Sequence, residues 1–324
     1  MAELIILVGL PASGKSHWAQ ENYGDKDDYK IMSSDSIREE LFGDESIQED
    51  NPRVFGWMRK RTVSNLKDGI NVVYDATNIS RKRRVAIMNE SPKGTTFSCV
   101  YFDTHPDDIL KRNNKRNRQV PFKTIFNMYR NMQIPVKGEG FQSITIEKGR
   151  PNKPADLGFA NDLMENLYSC DELFYLLSRY NQVFSDIEDQ PQDNSHHSFS
   201  VSRHTWHVYQ NMLNNKEYGN DIDMIMASIL HDTGKAYSKS FYNHKGEIKK
   251  YASFHKHENI SRQLAYDLHE ELPVFDVELV STLCQFHMRL YDTTPSNLDK
   301  LKKLVGEDVY KRLLALNECD RNAK

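Results

Sequence analysis

Apolar residues follow two different rhythms along this chain. Over the first 150 residues they gather in four short runs: LIILVGL (4–10), YKIMSSD (29–35), INVVYDA (70–76) and FSCVYFD (97–103). Charged, helix-compatible stretches separate them. Short apolar runs bounded by polar segments read as buried strands. Strands alternating with helices predict an α/β domain, a mainly parallel sheet with helices on both faces. Past residue 150 the rhythm changes. RPNKPADLG (150–158) carries two prolines and a glycine and reads as a linker. Beyond it, ANDLMENLYSCDELFYLLSRY (160–180), MIMASIL (224–230) and DVELVSTLCQFHM (276–288) place apolar residues at helical spacing. The second half is expected to be all-α. The expected organisation is an α/β domain over residues 1–148, a linker over 149–159 and a helical domain over 160–324.

Composition fits two such domains. The chain has 324 residues, 38% of them hydrophobic, enough for two packed cores. The net charge of −3 divides unevenly, with +4 over residues 1–150 and −7 over the rest. Ten of the twelve histidines lie after residue 190. The first half therefore suits a polyanion, and the second is rich in side chains that bind metals at neutral pH. Cys99, Cys170, Cys284 and Cys319 are far apart and form no CxxC, which suits a reducing cytoplasm and argues against a disulfide framework or a thiolate zinc site. No apolar run approaches membrane-spanning length, and LIILVGL is too short and lacks the basic leader of a signal peptide. A soluble cytoplasmic protein with no membrane partner is expected.

GLPASGKS (9–16) matches G-x-x-x-x-G-K-[ST] in full, after a strand and before a helix-compatible stretch. Gly9 and Gly14 let backbone amides turn inward around phosphates, with Ser13 between them. Lys15 reaches the β- and γ-phosphates of ATP, and Ser16 offers a hydroxyl to Mg²⁺. In SSDSIREE (33–40), Asp35 and Arg38 sit three apart and share a face if a helix starts there. A carboxylate beside the γ-phosphate can accept an alcohol proton, and an arginine one turn on can hold an acceptor phosphate. A capped helix start with a solvated arginine is the plainer reading of the same residues. Asp75 ends the third apolar run and can hold Mg²⁺ directly or through water. Ala76 follows it, so the acid pair common in motor ATPases is missing. In RNNKRNR (112–118), Arg112 and Arg116 are four apart and would share a helix face, as a lid over the transferring phosphate or as a solvated surface.

The loop, DSIR, DATN, KRNNKRNRQVP and FNMYRNM, in that order over about residues 1–148, resemble the kinase domain of phage-type polynucleotide kinases. That family phosphorylates 5′-hydroxyl ends of RNA or DNA with ATP. The resemblance implies Asp35 as general base, Arg38 on the phosphate just 3′ of the acceptor nucleoside, Lys15 and Ser16 on the donor, and Arg116 and Arg112 as lid arginines. Around DATN the spacing differs by one residue from some members of the family.

SILHDTGK (228–235) also ends in Gly-Lys, but Ile229 stands where a phosphate loop needs glycine, and helix, not strand, precedes it. His231 and Asp232 are an adjacent imidazole and carboxylate at a helix end. Around them lie His204 and His207 in RHTWHVYQ, His255, His257 and Glu258 in FHKHENIS, His287 in QFHMRL, and Asp320 in NECDRNAK. The order H…HD…H…H…D over about residues 160–324 resembles the HD phosphohydrolase superfamily, all-helical proteins that hold one or two divalent metals and hydrolyse phosphate esters. HSFSVSRHT, with His197, resembles the entrance to such domains. The resemblance implies His204, His231, Asp232 and Asp320 around a first metal, with His257 and His287 on a second metal or the substrate phosphate. Lys235 would stabilise developing charge. Imidazole and carboxylate ligands without thiolate favour Mn²⁺, Fe²⁺, Co²⁺, Ni²⁺ or Zn²⁺ over Mg²⁺ alone. His207 reads equally as site lining or as surface. His244, His255 and His269 read as structural.

Taken together, the expectation is a bifunctional end-healing enzyme acting on RNA ends, with DNA ends as an alternative. It would pair a 5′-hydroxyl polynucleotide kinase with a 2′,3′-cyclic phosphodiesterase and 3′-phosphatase, and an RNA ligase would act downstream. Two alternatives stand beside it: a small-molecule or nucleotide kinase fused to a nucleotide phosphohydrolase, and an ATP-binding nucleic-acid switch that transfers no phosphate.

Overall fold

Each of the four apolar runs forms a strand in the computed structural model. These are β1 (Glu3–Val8), β2 (Tyr29–Ser33), β3 (Asn71–Asp75) and β4 (Thr96–Asp103). The structure describes residues 2–44, 50–193, 199–243, 245–292 and 294–323, divided into two compact units, 1–150 and 151–324. A fifth strand, β5 (Ser143–Lys148), completes the first sheet. Its sequence, SITIEK, holds two isoleucines among polar residues, so no apolar run marks it. It lies at the sheet edge, where one strand neighbour is enough and burial is partial.

The strand order is β2-β3-β1-β4-β5 and every pairing is parallel. Both faces are covered. Ile5, Leu7, Val73, Val100 and Phe102 pack with Ala19, while the alternate β1 residues Leu4, Ile6 and Val8 are also fully buried. The helices of this unit are α1 (Lys15–Tyr23), α2 (Ser34–Phe42), α3 (Asn51–Lys67), α4 (Arg81–Glu90), α5 (Pro106–Asn114) and α6 (Phe122–Asn131). Because all strands run the same way, β1, β2 and β3 release their following loops at one edge of the sheet. The chain order reverses about β1, and ligands of such sheets bind in the crevice at that switch point. A fully buried pair braces the loop after β3. Arg84 donates to both carboxylate oxygens of Glu139 at 2.8 and 2.7 Å and to the Asn78 carbonyl at 2.8 Å.

In the second unit, residues 151–156 carry no regular element. Then come α7 (Leu157–Met164), α8 (Cys170–Ser178), α9 (Val183–Asp186), α10 (Val201–Leu213) and α11 (Ile222–Leu230). They are followed by α12 (His257–Glu271), α13 (Val277–Phe286), α14 (Pro295–Val305) and α15 (Glu307–Arg321). Helix α11 is buried on every side from Met224 to Leu230, as an apolar sequence without a polar stripe requires. The helical expectation holds with one addition. Between α11 and α12 an antiparallel ribbon projects, β6 (Ser240–Tyr242) and β7 (Ile248–Ser253). Its lysine-rich sequence has no apolar run, so the hydrophobic pattern passes over it. Among the described residues, no helix is long and apolar enough to cross a membrane.

Candidate functional site

The phosphate loop begins where β1 leaves the sheet. Gly9 donates to the Thr77 carbonyl at 3.1 Å, tying the loop to the end of β3. A Cβ at Gly9 would come within 2.8 Å of Ser13 Oγ and 3.0 Å of Phe102 Cβ, so only glycine fits. Gly14, at φ 102°, starts α1 in a conformation that side chains rarely adopt. The amino end of α1 has no side-chain cap, which leaves its amides free for phosphate.

Lys15 is buried and curls back, donating to the Leu10 carbonyl at 2.7 Å and to Ser13 Oγ at 3.2 Å. Burial lowers its pKa to about 8, partly opposed by Asp75 and Asp35 and reinforced by the Arg116 charge. Burial likewise pushes the Asp75 carboxyl above the usual carboxylate range, against the Ser16 hydroxyl and the Lys15 ammonium. Ser16 and Asp75 therefore face each other beside Lys15, the oxygen pair a magnesium ion would need.

Asp35 and Arg38 do share one turn of α2, which Ser33 caps through a bond from Asp35 N at 3.3 Å. Arg38 is buried, 2.6 Å from Asp35 Oδ1 and 2.9 Å from Asn51 Oδ1. The lid arginines are arranged differently from expectation. Helix α5 ends at Asn114, because the chain turns there with Lys115 and Arg116 amides bonded to Arg112 and Asn113 carbonyls. Arg112 and Arg116 thus do not share a helix face. Arg112, on the helix, bonds the Ser13 carbonyl at 3.3 Å, and Arg116 sits in the turn. The same turn brings Arg118, which spacing did not single out, to 3.4 Å from Asp35 Oδ1.

The second cluster gathers His204 from α10, His231 and Asp232 from the end of α11, His257 from the start of α12, His287 from the end of α13, and Asp320 from α15. Their ligand atoms fall into two groups, His204–His231–Asp320 and Asp232–His257–His287, each within 4.8 Å. Asp232 joins them. Its Oδ2 lies 3.5 Å from His204 and 3.4 Å from His231, and its Oδ1 lies 3.1 Å from His257 and 3.7 Å from His287. Asp320 Oδ1 is 3.0 Å from His204.

All four imidazoles are aimed the same way. Nδ1 of His231, His257 and His287 faces the carbonyl three residues back, at 2.9, 2.8 and 2.7 Å, and Nδ1 of His204 faces the Ala323 carbonyl at 2.9 Å. A carbonyl can only accept, so Nδ1 carries the proton and Nε2 offers its lone pair to the centre. Those lone pairs meet carboxylate oxygens and, between His257 and His287, each other at 3.2 Å. Acceptors at such distances repel unless positive charge stands between them, so the donor set fits divalent metal.

Burial raises the Asp232 carboxyl, but the Lys235 ammonium beside it acts the other way, and the carboxyl lies well below the usual range. Lys235 is not free in the cavity: its Nζ sits 2.6 Å from Asp232 Oδ2 and 2.8 Å from Gln192 Oε1. His207 stacks on Phe199 at 4.6 Å and contributes no atom to either group. His255 is exposed, and His269 packs on Phe275. His197 and His244 lie outside the described residues.

Residues 4–135 match the family model of an AAA domain, and residues 201–322 match that of the HD domain. The chain thus carries, in order, a match to an AAA-type P-loop domain and a match to an HD domain. Similar solved structures include two of the Pnkp1/Rnl/Hen1 RNA repair complex. One is 25% identical over 40% of this chain and 43% of that chain, with a TM-score of 0.37. The other is 27% identical over 37% and 41%, with a TM-score of 0.33. A sugar kinase from Janibacter sp. HTCC2649 is 16% identical over 48% of this chain and 88% of that one, at 0.33. The chain thus spans less than half the length of the RNA repair chains it matches.

The HD domain answers why the second Gly-Lys exists. A Cβ on Gly234 would sit 2.1 Å from the His257 carbonyl, and Gly234 N donates to Ser261 Oγ at 2.9 Å. The glycine lets the turn after His231-Asp232 lie directly on the start of α12, which brings His257 to Asp232. Tyr291 was also beyond motif reading. Its hydroxyl donates to Asp320 Oδ2 at 2.7 Å and leaves Oδ1 for the centre.

In the P-loop domain the lowered Lys15 pKa has a measurable consequence. The free lysine is charged below about pH 8 and loses its proton as pH rises through that value. Phosphate binding requires the charged form, so above this point ATP must restore the proton. The Kd for a non-hydrolysable ATP analogue is expected to rise about tenfold between pH 7 and pH 9. Titration calorimetry at the two pH values checks this. In Lys15→Met, binding should be weak and lack the step.

Proposed function

We propose that the chain heals broken nucleic-acid ends, with RNA as the substrate. The P-loop domain would act as an ATP-dependent 5′-hydroxyl kinase, and the HD domain as a 2′,3′-cyclic phosphodiesterase and 3′-phosphatase. The observation that carries this reading is an acceptor side, Asp35 with Arg38, beside the phosphate loop, in a chain that also gathers six buried histidines and aspartates able to hold metal. Adding phosphate at one end and removing it at the other have no purpose on the same atom. They serve together on a strand left with a 5′-hydroxyl and a 3′- or cyclic phosphate.

In the kinase step Lys15 leaves the Leu10 carbonyl for the β- and γ-phosphates. Arg38 exchanges Asp35 and Asn51 for the phosphate 3′ of the acceptor nucleoside, which frees the Asp35 carboxylate. Asp35 then takes the proton from the 5′-hydroxyl as that oxygen bonds to the γ-phosphorus and the bond to the β-phosphate oxygen breaks. Arg112, Arg116 and Arg118 offset the charge on the transferring phosphoryl group. Ser16 and Asp75 would hold Mg²⁺.

In the HD domain His204, His231, Asp232 and Asp320 would hold one transition-metal ion, and His257 with His287 a second ion or the scissile phosphate. When bound, such a metal supplies Lewis acidity and an acidified water. The chain itself fixes the four imidazole tautomers through backbone carbonyls, and Lys235 balances the second carboxylate and faces the phosphate charge.

One assay tests both halves. RNA with 5′-hydroxyl and 2′,3′-cyclic phosphate ends is incubated with ATP and Mn²⁺ or Ni²⁺, and both ends are mapped. The expected product carries a 5′-phosphate and has lost the cyclic phosphate. Phosphorylation of free nucleosides as efficiently as RNA would replace this reading with a metabolic kinase. ATP binding without transfer to any acceptor would replace it with a switch.

A further inference from the structure

The ribbon β6–β7 departs from the charge of its surroundings. Residues 239–256 carry five lysines against one glutamate, inside a half of the chain whose net charge is −7. They also leave large apolar groups in solvent: Phe241 is 38% exposed, Tyr242 57%, Ile248 78% and Tyr251 44%. Exposed rings in a short two-stranded ribbon gain nothing for the core, and such a ribbon has little stability of its own. Its root is firmly held. Ala252 N donates to the Asp193 carbonyl at 2.9 Å, Lys239 pairs with Asp193 at 2.6 Å, and Lys249 bonds Ser253 Oγ at 2.7 Å.

Both ends of the ribbon run into the metal cluster. β6 begins eight positions after Asp232, and β7 ends four before His257. Phe254, between β7 and α12, offers its carbonyl to His257 Nδ1 at 2.8 Å, and its ring lies 5.5 Å from Lys235 Nζ.

We propose that this ribbon is the platform on which the HD domain receives a single-stranded nucleic acid, guiding the 3′ end to the metal cluster. The inference rests on the phosphohydrolase reading above and names the class of its substrate. Aromatic rings interleaved with cations suit single strands: each base stacks on a ring while the lysine beside it meets a phosphate. One such pairing is already built, with Lys250 Nζ 5.1 Å from the Tyr251 ring. The charge contrast selects a polyanion, and the exposed rings select unpaired bases over a duplex, whose bases are stacked on one another.

The test uses the full chain with Tyr242→Ala/Tyr251→Ala, Tyr242→Phe/Tyr251→Phe and Lys250→Ala. Two substrates are compared, a single-stranded RNA ending in a 2′,3′-cyclic phosphate and a nucleoside 2′,3′-cyclic monophosphate. The double alanine variant should raise KM for the RNA about twentyfold or more and leave the mononucleotide within about twofold. The phenylalanine pair should behave as wild type. Lys250→Ala should lower the slope of log affinity against log salt by about 0.7 for the RNA. An unchanged RNA KM in the double alanine variant, equal losses on both substrates, or a duplex RNA used as well as the single strand would each overturn the ribbon inference. If wild type hydrolyses neither substrate, the phosphohydrolase reading fails separately. Anisotropy with 5′-phosphorylated single-stranded RNA then decides the ribbon: weaker binding by the double alanine variant upholds it, and equal binding removes it.

Discussion

Asp232→Ala is expected to lose both bound metal and hydrolysis of a 2′,3′-cyclic phosphate end, while 5′-phosphorylation continues within a fewfold of wild type. Asp232 belongs to the group with His257 and His287, which it faces with one oxygen, and turns the other toward His204 and His231 of the neighbouring group. Its removal also strips a negative charge from a centre meant for a dication and leaves the Lys235 ammonium, now 2.6 Å from that carboxylate, beside four imidazoles. A partner buried without its counter-charge is costly, so the variant is checked by melting temperature and accompanied by Asp232→Asn, which keeps the volume. Even supporting residues of metal sites change affinity or activity by about 10–100-fold, so a direct ligand that also borders the second group should exceed the upper figure. His287→Ala should behave differently, retaining metal at the His204–His231–Asp320 group and losing most turnover. Elemental analysis of wild type and variants, beside both activities, distinguishes these outcomes. Full hydrolysis by metal-free Asp232→Ala protein would remove the metal centre from the account.

Asp35→Asn should retain ATP and lose phosphoryl transfer by about 10²–10⁴-fold, the range for a positioned general base. Asparagine keeps the shape but cannot take the 5′-hydroxyl proton. It also weakens the hold on Arg38, now 2.6 Å from the carboxylate, so acceptor binding should not suffer equally. Arg38 is read out on its own by comparing a nucleoside 3′-monophosphate with the bare nucleoside. One charge-assisted contact is worth about 1.5–3 kcal/mol, so the phosphate should improve efficiency roughly tenfold to a hundredfold. Equal use of both acceptors would indicate that Arg38 binds no acceptor phosphate. Single-turnover transfer and equilibrium ATP binding separate the two losses.

Much of this was readable in one dimension because it depends on near neighbours. A strand buried on both faces needs a continuous apolar run, so β1, β3 and β4 are visible in the sequence, while β2, an edge strand only partly buried, shows through its short YKIM run, and an amphipathic or buried helix writes its own period. The phosphate loop is a stretch of backbone whose conformation demands Gly9 and Gly14 where they stand. Asp35 and Arg38 are one helical turn apart. The candidate metal-binding histidines and aspartates lie near helix ends, so their order along the chain brings them to notice before the helices are assembled.

What the tertiary structure decided are pairings between positions distant in sequence. β5 is polar because an edge strand needs little burial, and the ribbon is lysine-rich because its face meets solvent, so neither leaves an apolar signature. Arg118 reaches Asp35 only because α5 stops at Asn114 and the chain turns, a matter of backbone hydrogen bonds that charge spacing does not encode. Tyr291 finds Asp320 through the packing of the chain after α13 against α15. Gly234 looks like half of a phosphate motif until the His257 carbonyl is seen where its Cβ would be. The aim of each Nε2 follows from a carbonyl behind each ring, and for His204 that carbonyl belongs to Ala323, at the far end of the helical domain. Residue type and order specify which chemistry is possible; close approach of distant backbone selects which atoms carry it.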